Sequence, residues 1–399
     1  MPFTNRLDTK SSHPHNHQSL HYDAIIVGAS VAGCIGALEL ANRGWRVAVI
    51  EKQTSASHYK KICTHIIHPS AVNKLRNAGV FDELTEQGAQ MTCMKITHNG
   101  KTVHYPLAGK LAAANIERQN LDPALKNAVL KQSNIELMVG YRLLSLLKDN
   151  KRVNGVVVKD PEQVELCLHA ALVIGADGRQ STTVKLAGGK THSLSNERVA
   201  IFSYFETDTH LAESKVWAFD NGLQYMGYFP NNKRTLLSWY LPRAQYLSQK
   251  TTGDHSINTL INFLAEQGIT VGERQESIMV AKNTASQTCR VNLKGIALIG
   301  DAKLSPDPLT GIGCQWAIHS AGLLANCLGR APADTTPKAL TDARIRMGIT
   351  LYNLIHALRF RLPSRIMSAI SNHGSVVFNK PIYSILAWLT RAKHVGSRD

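Results

Sequence analysis

The sequence of 399 residues predicts an α/β fold with an inserted antiparallel β-sheet and a helical C-terminal region. Three observations lead to this prediction. Residues 22–51 carry a strand–turn–helix–strand pattern, and residues 199–240 alternate in polarity and are rich in aromatic side chains. From Leu323 onward, apolar residues recur at helical spacing. The first pattern is typical of a parallel sheet, the second of an antiparallel sheet, and the third of packed helices.

The first pattern is a βαβ unit. Residues 24–27 form a short apolar run, as in a buried parallel strand, and the sequence GASVAG follows at 28–33. A helical pattern fills 34–42, and a second strand at 46–50 ends at Glu51. Strand, glycine turn, helix, strand and terminal acid together predict a Rossmann-like unit that binds a dinucleotide.

The residue types of this unit match the chemistry of a pyrophosphate site. Gly28 permits the sharp turn, and Gly33 lets the helix pack closely on the sheet. The N–H groups and dipole at the helix start bind phosphate, and a carboxylate at Glu51 accepts hydrogen bonds from ribose hydroxyls. A glycine-rich turn in another kind of α/β protein is the alternative. The residues predicted to bind the dinucleotide here are Gly28, Ser30, Val31, Ala32, Gly33, Glu51 and Lys52.

The net charge of +16 raises nucleic acid as a partner, but the basic residues are dispersed and no nucleic-acid-binding motif accompanies them. We therefore predict no nucleic-acid partner. An anionic cofactor, an acidic substrate or a membrane surface accounts for the charge more simply.

The seven cysteines are scattered without CxxC spacing, which favours reduced thiols and predicts no metal site. No apolar run reaches the roughly 20 residues of a membrane span, and the first 21 residues lack the apolar core of a signal peptide. We therefore expect a cytoplasmic protein.

The rest of the chain is divided by composition. Helices are predicted over 71–77, 116–131 and 256–267, and strands over 134–139, 152–158, 172–174 and 295–299. Residues 1–20 are predicted to be a disordered tail, although they contain three closely spaced histidines. The predicted parts are a discontinuous nucleotide-binding domain (21–80, 110–190 and 290–330), a substrate domain (81–109 and 191–289) and a helical C-terminal region (331–399).

Three separated motifs now line up: GASVAG ending in Glu51, GADGRQS at 175–181, and GDAKLSPDPLTGIG at 300–313. Together they resemble FAD-dependent monooxygenases with the para-hydroxybenzoate hydroxylase fold, over roughly residues 22–330. The resemblance implies that the nucleotide-binding domain is an FAD-binding domain.

The resemblance also implies roles for single residues. Asp177 would shape a turn near the pyrophosphate, and Asp301 would bind the ribityl chain, with a helix cap as the alternative for Asp301. Backbone N–H groups of 308–313 would approach the flavin ring, where negative charge develops on reduction. The residues that it adds to the cofactor site are Arg118, Leu143, Asp177, Asp301, Gly311, Ile312 and Gly313.

The activity that the resemblance implies is hydroxylation of an aromatic or polycyclic small molecule through a flavin C4a-hydroperoxide. NADPH or NADH would visit transiently as the reductant. His68 and Lys303 are candidate catalytic residues, each with a structural role as the alternative. The substrate would be aromatic or lipophilic.

Three other functions stay open. The segment KICTH at 61–65 also resembles geranylgeranyl reductases and flavin halogenases, which predicts a reductase or a halogenase as alternatives. The tryptophan motif of one halogenase group is absent, since Trp217 and Trp239 match it poorly. From another class, a non-redox protein could keep FAD as a ligand.

The C-terminal region combines apolar and basic residues. Between Ala343 and Arg398 there are nine Lys or Arg residues and no acid. We predict that an apolar face docks on the flavin domain, with arginines on its outer side and a second apolar patch at 382–389. This combination predicts a peripheral contact with an anionic membrane, and a solvated basic face is the alternative. The face consists of Met347, Leu351, Leu354, Ile355, Leu358 and Leu362, and the arginines are Arg359, Arg361 and Arg365.

Overall fold

A computed structural model gives the fold, and it describes residues 20–105, 113–194, 198–207, 213–219, 224–232, 234–248, 253–282, 284–308, 311–333 and 335–366. The predicted tail, apart from Leu20, and the predicted apolar patch at 382–389 lie outside the described residues. No helix in the described part of the chain is long and apolar enough to cross a membrane.

The described residues contain strands in three sheets. In chain order the strands are β1 (Leu20–Val27), β2 (Val47–Glu51), β3 (Ile66–Ile67), β4 (Gln90–His98), β5 (Lys101–Tyr105), β6 (Ala113–Asn115), β7 (Ile135–Val139), β8 (Arg142–Asp149), β9 (Arg152–Lys159), β10 (Glu165–Gly175), β11 (Lys190–Leu194), β12 (Arg198–Glu206), β13 (Glu213–Phe219), β14 (Gln224–Asn231), β15 (Arg234–Pro242), β16 (Met279–Ala281), β17 (Ser286–Arg290), β18 (Ile296–Leu298) and β19 (Leu304–Ser305).

Helices cover the sheets and end the described chain. They are α1 (Val31–Ala41), α2 (Pro69–Asn77), α3 (Phe81–Glu86), α4 (Arg118–Leu130), α5 (Thr182–Leu186), α6 (Arg243–Ser248), α7 (Gly253–Glu266), α8 (Gly313–Leu328) and α9 (Lys338–His356). The predicted helix at 34–42 thus begins earlier, at Val31. The α/β fold class is confirmed.

The first sheet has the strand order β7-β2-β1-β10-β9-β8, and β18 pairs with β10. β1 lies between β2 and β10 and runs parallel to both. The fully buried runs of these strands explain their apolar sequences, because helices or strands cover both faces. The carboxyl ends of β1, β2 and β10 therefore meet at one edge, where a nucleotide site forms in such sheets.

The second sheet has the order β16-β12-β15-β14-β13-β4-β6-β3, with β5 beside β4. β14 and β15 form a hairpin, and Asn232 turns it with a positive φ of 48°. One face packs on α7, and Trp217 and Trp239 belong to this core. The other face carries aromatic side chains and meets Ile66 from the first half of the chain.

The C-terminal helix corrects one prediction. The apolar face that we expected to dock is exposed: Met347 is 69% exposed, and Leu354 and Leu358 are each 60% exposed. The side that packs includes Ile345, Gly348, Tyr352, His356 and Phe360. Both stripes are apolar at helical spacing, so spacing alone does not choose between them.

Close packing on α8 explains the choice. A Cβ at Gly348 would lie 2.8 Å from the Cys327 carbonyl oxygen, so only glycine permits this approach of α9 to α8. Tyr352 Oη donates a 2.8 Å hydrogen bond to the Leu298 carbonyl, which fixes the rotation of the helix. A π-helical turn at Ala357–Arg361 precedes Pro363, which lacks the N–H that a regular helix needs.

Candidate functional site

The glycine turn after β1 leaves no room for side chains. A Cβ at Gly33 would lie 1.8 Å from the Gly28 carbonyl oxygen, and a Cβ at Gly28 would lie 2.7 Å from the Ala176 carbonyl oxygen. Gly28 also has a φ of 105°, which side chains rarely adopt. The first turn of α1, with Val31 and Ala32, therefore sits directly against the end of β10. Its N–H groups lack intrahelical partners and suit an anion.

Glu51 connects the two strands of the βαβ unit. Its Oε2 accepts a 2.9 Å hydrogen bond from the Ala29 N–H, and its Oε1 accepts one of 2.9 Å from the Gln53 N–H. Each carboxylate oxygen has a second lone pair for a ribose hydroxyl. The neighbouring Lys52 is exposed at the same strand end.

Replacing Glu51 with alanine is expected to weaken FAD binding by roughly ten- to a hundredfold, because a hydrogen bond to a charged acceptor contributes about 1.5–3 kcal/mol. Fluorescence titration of the apoprotein with FAD measures this. Glu51→Gln keeps a hydrogen-bond acceptor without the charge, so its affinity for FAD should lie between those of the wild type and Glu51→Ala. An unchanged titration in the alanine variant would contradict the assignment.

Arg118 connects three segments of the site. It is 3% exposed, and its Nε and Nη2 bind the Asp122 carboxylate at 2.8–2.9 Å. The Nη2 also donates 2.8 Å to Ser30 Oγ, and Nη1 lies 3.7 Å from Cys314 Sγ. The guanidinium therefore bridges the first turn of α1 and the start of α8.

Asp177 holds the neighbouring turn in shape. Its Oδ1 accepts from Ser181 Oγ at 2.6 Å, and its Oδ2 accepts from the Thr183 N–H at 2.9 Å. Its Cα would lie 3.0 Å from a Cβ at Gly28, so this turn adjoins the glycine turn. The side chain of Leu143, in contrast, packs in the core of the first sheet. Only the backbone of Leu143 is therefore available for a contact with the cofactor.

Asp301 lies in a 3-10 turn after β18, with 23% of its side chain exposed. Its Oδ2 lies 3.1 Å from Lys60 Nζ, and this charge holds the pKa of Lys60 above its ordinary value. The Asp301 carboxylate thus pairs with the lysine ammonium group. The N-cap residue of α8 is Ile312, not Asp301.

The start of α8 leaves open space. Apart from its chain neighbours and its own helix, no atom of the described residues lies within 4 Å of the place that a Cβ would take at Gly313, and Ile312 is buried beside it. A Cβ at Gly311, which has a φ of 64°, would lie 2.8 Å from Ile66 Cγ2. Segments 64–66 and 311–313 are therefore packed against each other.

These residues fit FAD. The glycine turn and α1 suit the pyrophosphate, Glu51 a ribose, and the partly exposed Asp301 a ribityl hydroxyl. The open start of α8, with Gly313, would take the flavin ring, and a helix amino terminus favours negative charge there. The structure places residues of the three separated motifs next to one another, and their contact with FAD stays a prediction.

The two candidate catalytic residues, His68 and Lys303, differ in their positions and contacts. His68 is 2% exposed at the N-cap of α2. Lys303 donates a 2.7 Å hydrogen bond from Nζ to Asn353 Oδ1 of α9, and burial lowers its pKa to about 8. Lys303 therefore connects the site loop to α9, which is a structural contact.

The structure contains a polar network around His65 and Tyr204 that we did not predict from the sequence. His65 Nδ1 accepts a 3.2 Å hydrogen bond from the Arg118 N–H, and its Nε2 contacts the hydroxyl of Tyr204 on β12. Arg234 lies over the Tyr204 ring at 4.2 Å and binds Glu117 at 2.5–2.7 Å. The signal was weak, since His65 and Tyr204 are 139 residues apart.

This network lines a polar cleft at the second sheet. Burial lowers the pKa of His65 and raises that of Tyr204, so both stay neutral near pH 7. His65 also has a φ of 62°, an unusual conformation for a residue with a side chain. The cleft is lined by Tyr59, Lys61, His65, Glu117, Gln119, Tyr204, Arg234 and Glu276.

Comparison with known proteins adds to this geometry. Residues 21–344 match the family described as FAD binding domain. The chain is 26% identical over 344 residues to the digeranylgeranylglycerophospholipid reductase of Methanocella arvoryzae, covering 82% of this chain and 83% of that protein. It is 23% identical over 412 residues to the FAD-dependent monooxygenase asqG of Emericella nidulans, covering 92% of this chain and 69% of that protein. The solved flavin-dependent brominase Bmp2 superposes with a TM-score of 0.73 at 16% identity, over 93% of each chain.

Proposed function

The chain belongs to the FAD binding domain family, and from this premise we propose that it is a reductase that saturates carbon–carbon double bonds of a lipophilic, isoprenoid-like substrate. As a member of this family it is an FAD-dependent oxidoreductase. The reductase from Methanocella arvoryzae, whose name specifies a digeranylgeranyl lipid, supports the substrate class. We also propose NADPH or NADH as the reductant.

The observation that carries the proposal is the buried pair of His65 and Tyr204. Since His65 Nδ1 accepts the Arg118 N–H, its own proton lies on Nε2 and is donated to Tyr204 Oη. The Tyr204 hydroxyl proton is then free for a substrate.

Saturating a double bond requires a hydride equivalent and a proton. FAD held at the glycine turn and Glu51 would supply the hydride equivalent when reduced. Tyr204 supplies the proton to the other carbon, and the phenolate that results is stabilised by His65 Nε2–H and by Arg234 over the ring. Arg234 is held in place by Glu117 and Glu276.

An apolar wall beside Tyr204 suits a hydrocarbon chain. The face of the second sheet toward Ile66 is apolar and rich in aromatic rings, and Tyr225 stacks on Tyr240 with centroids 4.1 Å apart. Such rings exclude water from the reacting carbons. The aromatic members of this wall are Phe202, Tyr204, Tyr225, Phe229 and Tyr240.

The experiment is product analysis with a geranylgeranyl lipid under anaerobic conditions and NADPH or dithionite as reductant. The expected product gains two mass units for each saturated bond. Tyr204→Phe should slow its formation by roughly 10²- to 10⁴-fold while FAD content is retained. Tyr225→Phe, on the same wall, is the matched control. No mass gain with any reductant would overturn the proposal.

Hydroxylation of an aromatic or polycyclic substrate is a second candidate. The monooxygenase from Emericella nidulans, which aligns with 92% of the chain, supports it. This activity needs oxygen and adds sixteen mass units, so the same assay under air separates the two. For halogenation, Trp217 and Trp239 lie on the α7 side of the sheet and offer no support.

We further propose that α9 contacts an anionic membrane, which suits a lipid substrate. Large apolar side chains form one exposed stripe along α9 and the turns after it, flanked by arginines. Each basic residue near such a surface contributes about 1 kcal/mol. The stripe consists of Met347, Leu351, Leu354, Leu358, Leu362 and Ile366.

The variant Leu354→Glu/Leu358→Glu is expected to lower recovery on vesicles of phosphatidylserine and phosphatidylcholine at least tenfold, since burying one leucine contributes about 1.5–3 kcal/mol. Co-sedimentation measures it. Leu130→Glu, at a leucine that is 57% exposed on α4, should bind as the wild type does. Equal wild-type recovery on neutral and anionic vesicles, insensitive to salt, would contradict the contact.

A further inference from the structure

Two cysteines meet between the segments that form the cofactor site. Cys63 Sγ lies 3.9 Å from Cys314 Sγ, although the residues are 251 positions apart. Cys63 lies in the loop before β3, and Cys314 is the second residue of α8. Both thiols are free, as are the other cysteines of the chain.

The surroundings favour a thiolate at this pair. Cys63 Sγ accepts from the His65 N–H at 3.4 Å, and Arg118 Nη1 lies 3.7 Å from Cys314 Sγ. The amino terminus of α8 adds a positive partial charge. The hydrogen bond from Cys314 and the charge of Arg118 lower the pKa of the Cys63 thiol, and the same hydrogen bond raises that of Cys314.

We propose that Cys63 and Cys314 form a redox-active dithiol site that reacts with a hydroperoxide and closes to a disulfide. A disulfide needs a sulfur–sulfur distance of about 2.05 Å, so the two atoms must approach by about 2 Å through rotation of the two side chains. Cys63 is partly exposed and admits the oxidant, whereas Cys314 is buried.

The chemistry balances in two steps. The Cys63 thiolate attacks one peroxide oxygen, so an S–O bond forms as the O–O bond breaks, and hydroxide or alkoxide leaves. The Cys314 thiol then attacks the Cys63 sulfur; the S–S bond forms and water leaves with the thiol proton. Two electrons pass from the sulfurs to the peroxide, and an external dithiol restores the reduced pair.

The disulfide would join the loop before β3 to the start of α8. Arg118 contacts this pair with one nitrogen and Ser30 with another, so closure acts on both halves of the cofactor site. The proposal does not depend on the substrate of the enzyme.

The test treats the FAD-loaded, full-length protein with a small excess of hydrogen peroxide. The expected results are a mass lower by two units, five titratable thiols out of seven after denaturation, and a cross-linked peptide of Cys63 and Cys314. Dithiothreitol should restore all seven. These readouts do not require turnover.

Matched variants locate the bond. Cys63→Ser and Cys314→Ser should each lose the mass change, whereas Cys167→Ser and Cys327→Ser, at partly exposed cysteines, should keep it. Oxygen adducts on Cys63 without the cross-link in the wild type would overturn the proposal. So would a cross-link between any other two cysteines. Peptide mapping of the wild type decides this even if a variant fails to fold.

Discussion

Gly33→Ala is expected to abolish FAD binding, with a loss of affinity greater than a hundredfold. The added Cβ would lie 1.8 Å from the Gly28 carbonyl oxygen, a distance that no rotation of a side chain relieves. The first turn of α1 must then move away from the end of β1, and its N–H groups lose their common focus on the pyrophosphate. Titration of the apoprotein with FAD measures the loss, and circular dichroism reports whether the fold persists.

Gly36→Ala is the matched control on the same helix. Its Cβ would meet the tip of the Ile299 side chain at 3.1 Å, which can shift by the few tenths of an ångström required. We expect this variant to bind FAD within about threefold of the wild type, and its helix gains from alanine. If Gly33→Ala bound as well as Gly36→Ala does, the glycine turn would not be the pyrophosphate site.

Arg118→Ala is expected to lower the free energy of unfolding by about 3–5 kcal/mol, because it leaves a buried carboxylate without its charged partner. Asp122 is 2% exposed, and its salt bridge to Arg118 is 2.8 Å long. The loss of the contact with Ser30 should also weaken FAD binding. Urea denaturation of apoprotein and holoprotein separates the two effects.

Two controls sharpen this result. Arg118→Met/Asp122→Leu removes both charges and should recover much of the stability, although not the affinity for FAD. Arg274→Ala breaks an exposed ion pair with Asp254 and should cost less than about 1 kcal/mol. Equal losses in Arg118→Ala and Arg274→Ala would show that the Arg118 pair is not a buried anchor.

The parts of the fold that were predicted correctly from the sequence are determined by residues close to one another in the chain. The βαβ unit is encoded within about thirty residues, so periodicity and turn residues suffice to predict it. β8 was missed because its sequence, RLLSLLKD, does not alternate. It is a strand because β9 pairs with it, through an irregular register.

The parts that failed depend on contacts across the chain. The docking face of α9 is chosen by the close approach of Gly348 to α8, and two apolar stripes looked alike without it. In the sequence, Tyr204 is one of many aromatic residues between 199 and 240, and only the fold brings it into contact with His65. The sulfur pair of Cys63 and Cys314 is likewise created by the packing of the loop before β3 on α8.

The position of β18 has a consequence for synthesis of the chain. β1, β2 and β10 are complete once residue 175 has been translated, but β18 joins β10 only after residue 298, and α8 follows it. The strands β12 to β16 of the second sheet are therefore translated between the two halves of the cofactor site. A nascent chain stalled before β18 should not retain FAD, which pull-down of stalled ribosomes with a flavin fluorescence readout would measure. We therefore expect the cofactor to be captured only after the start of α8 at Gly313 has been translated, when the segment between the halves has had time to fold.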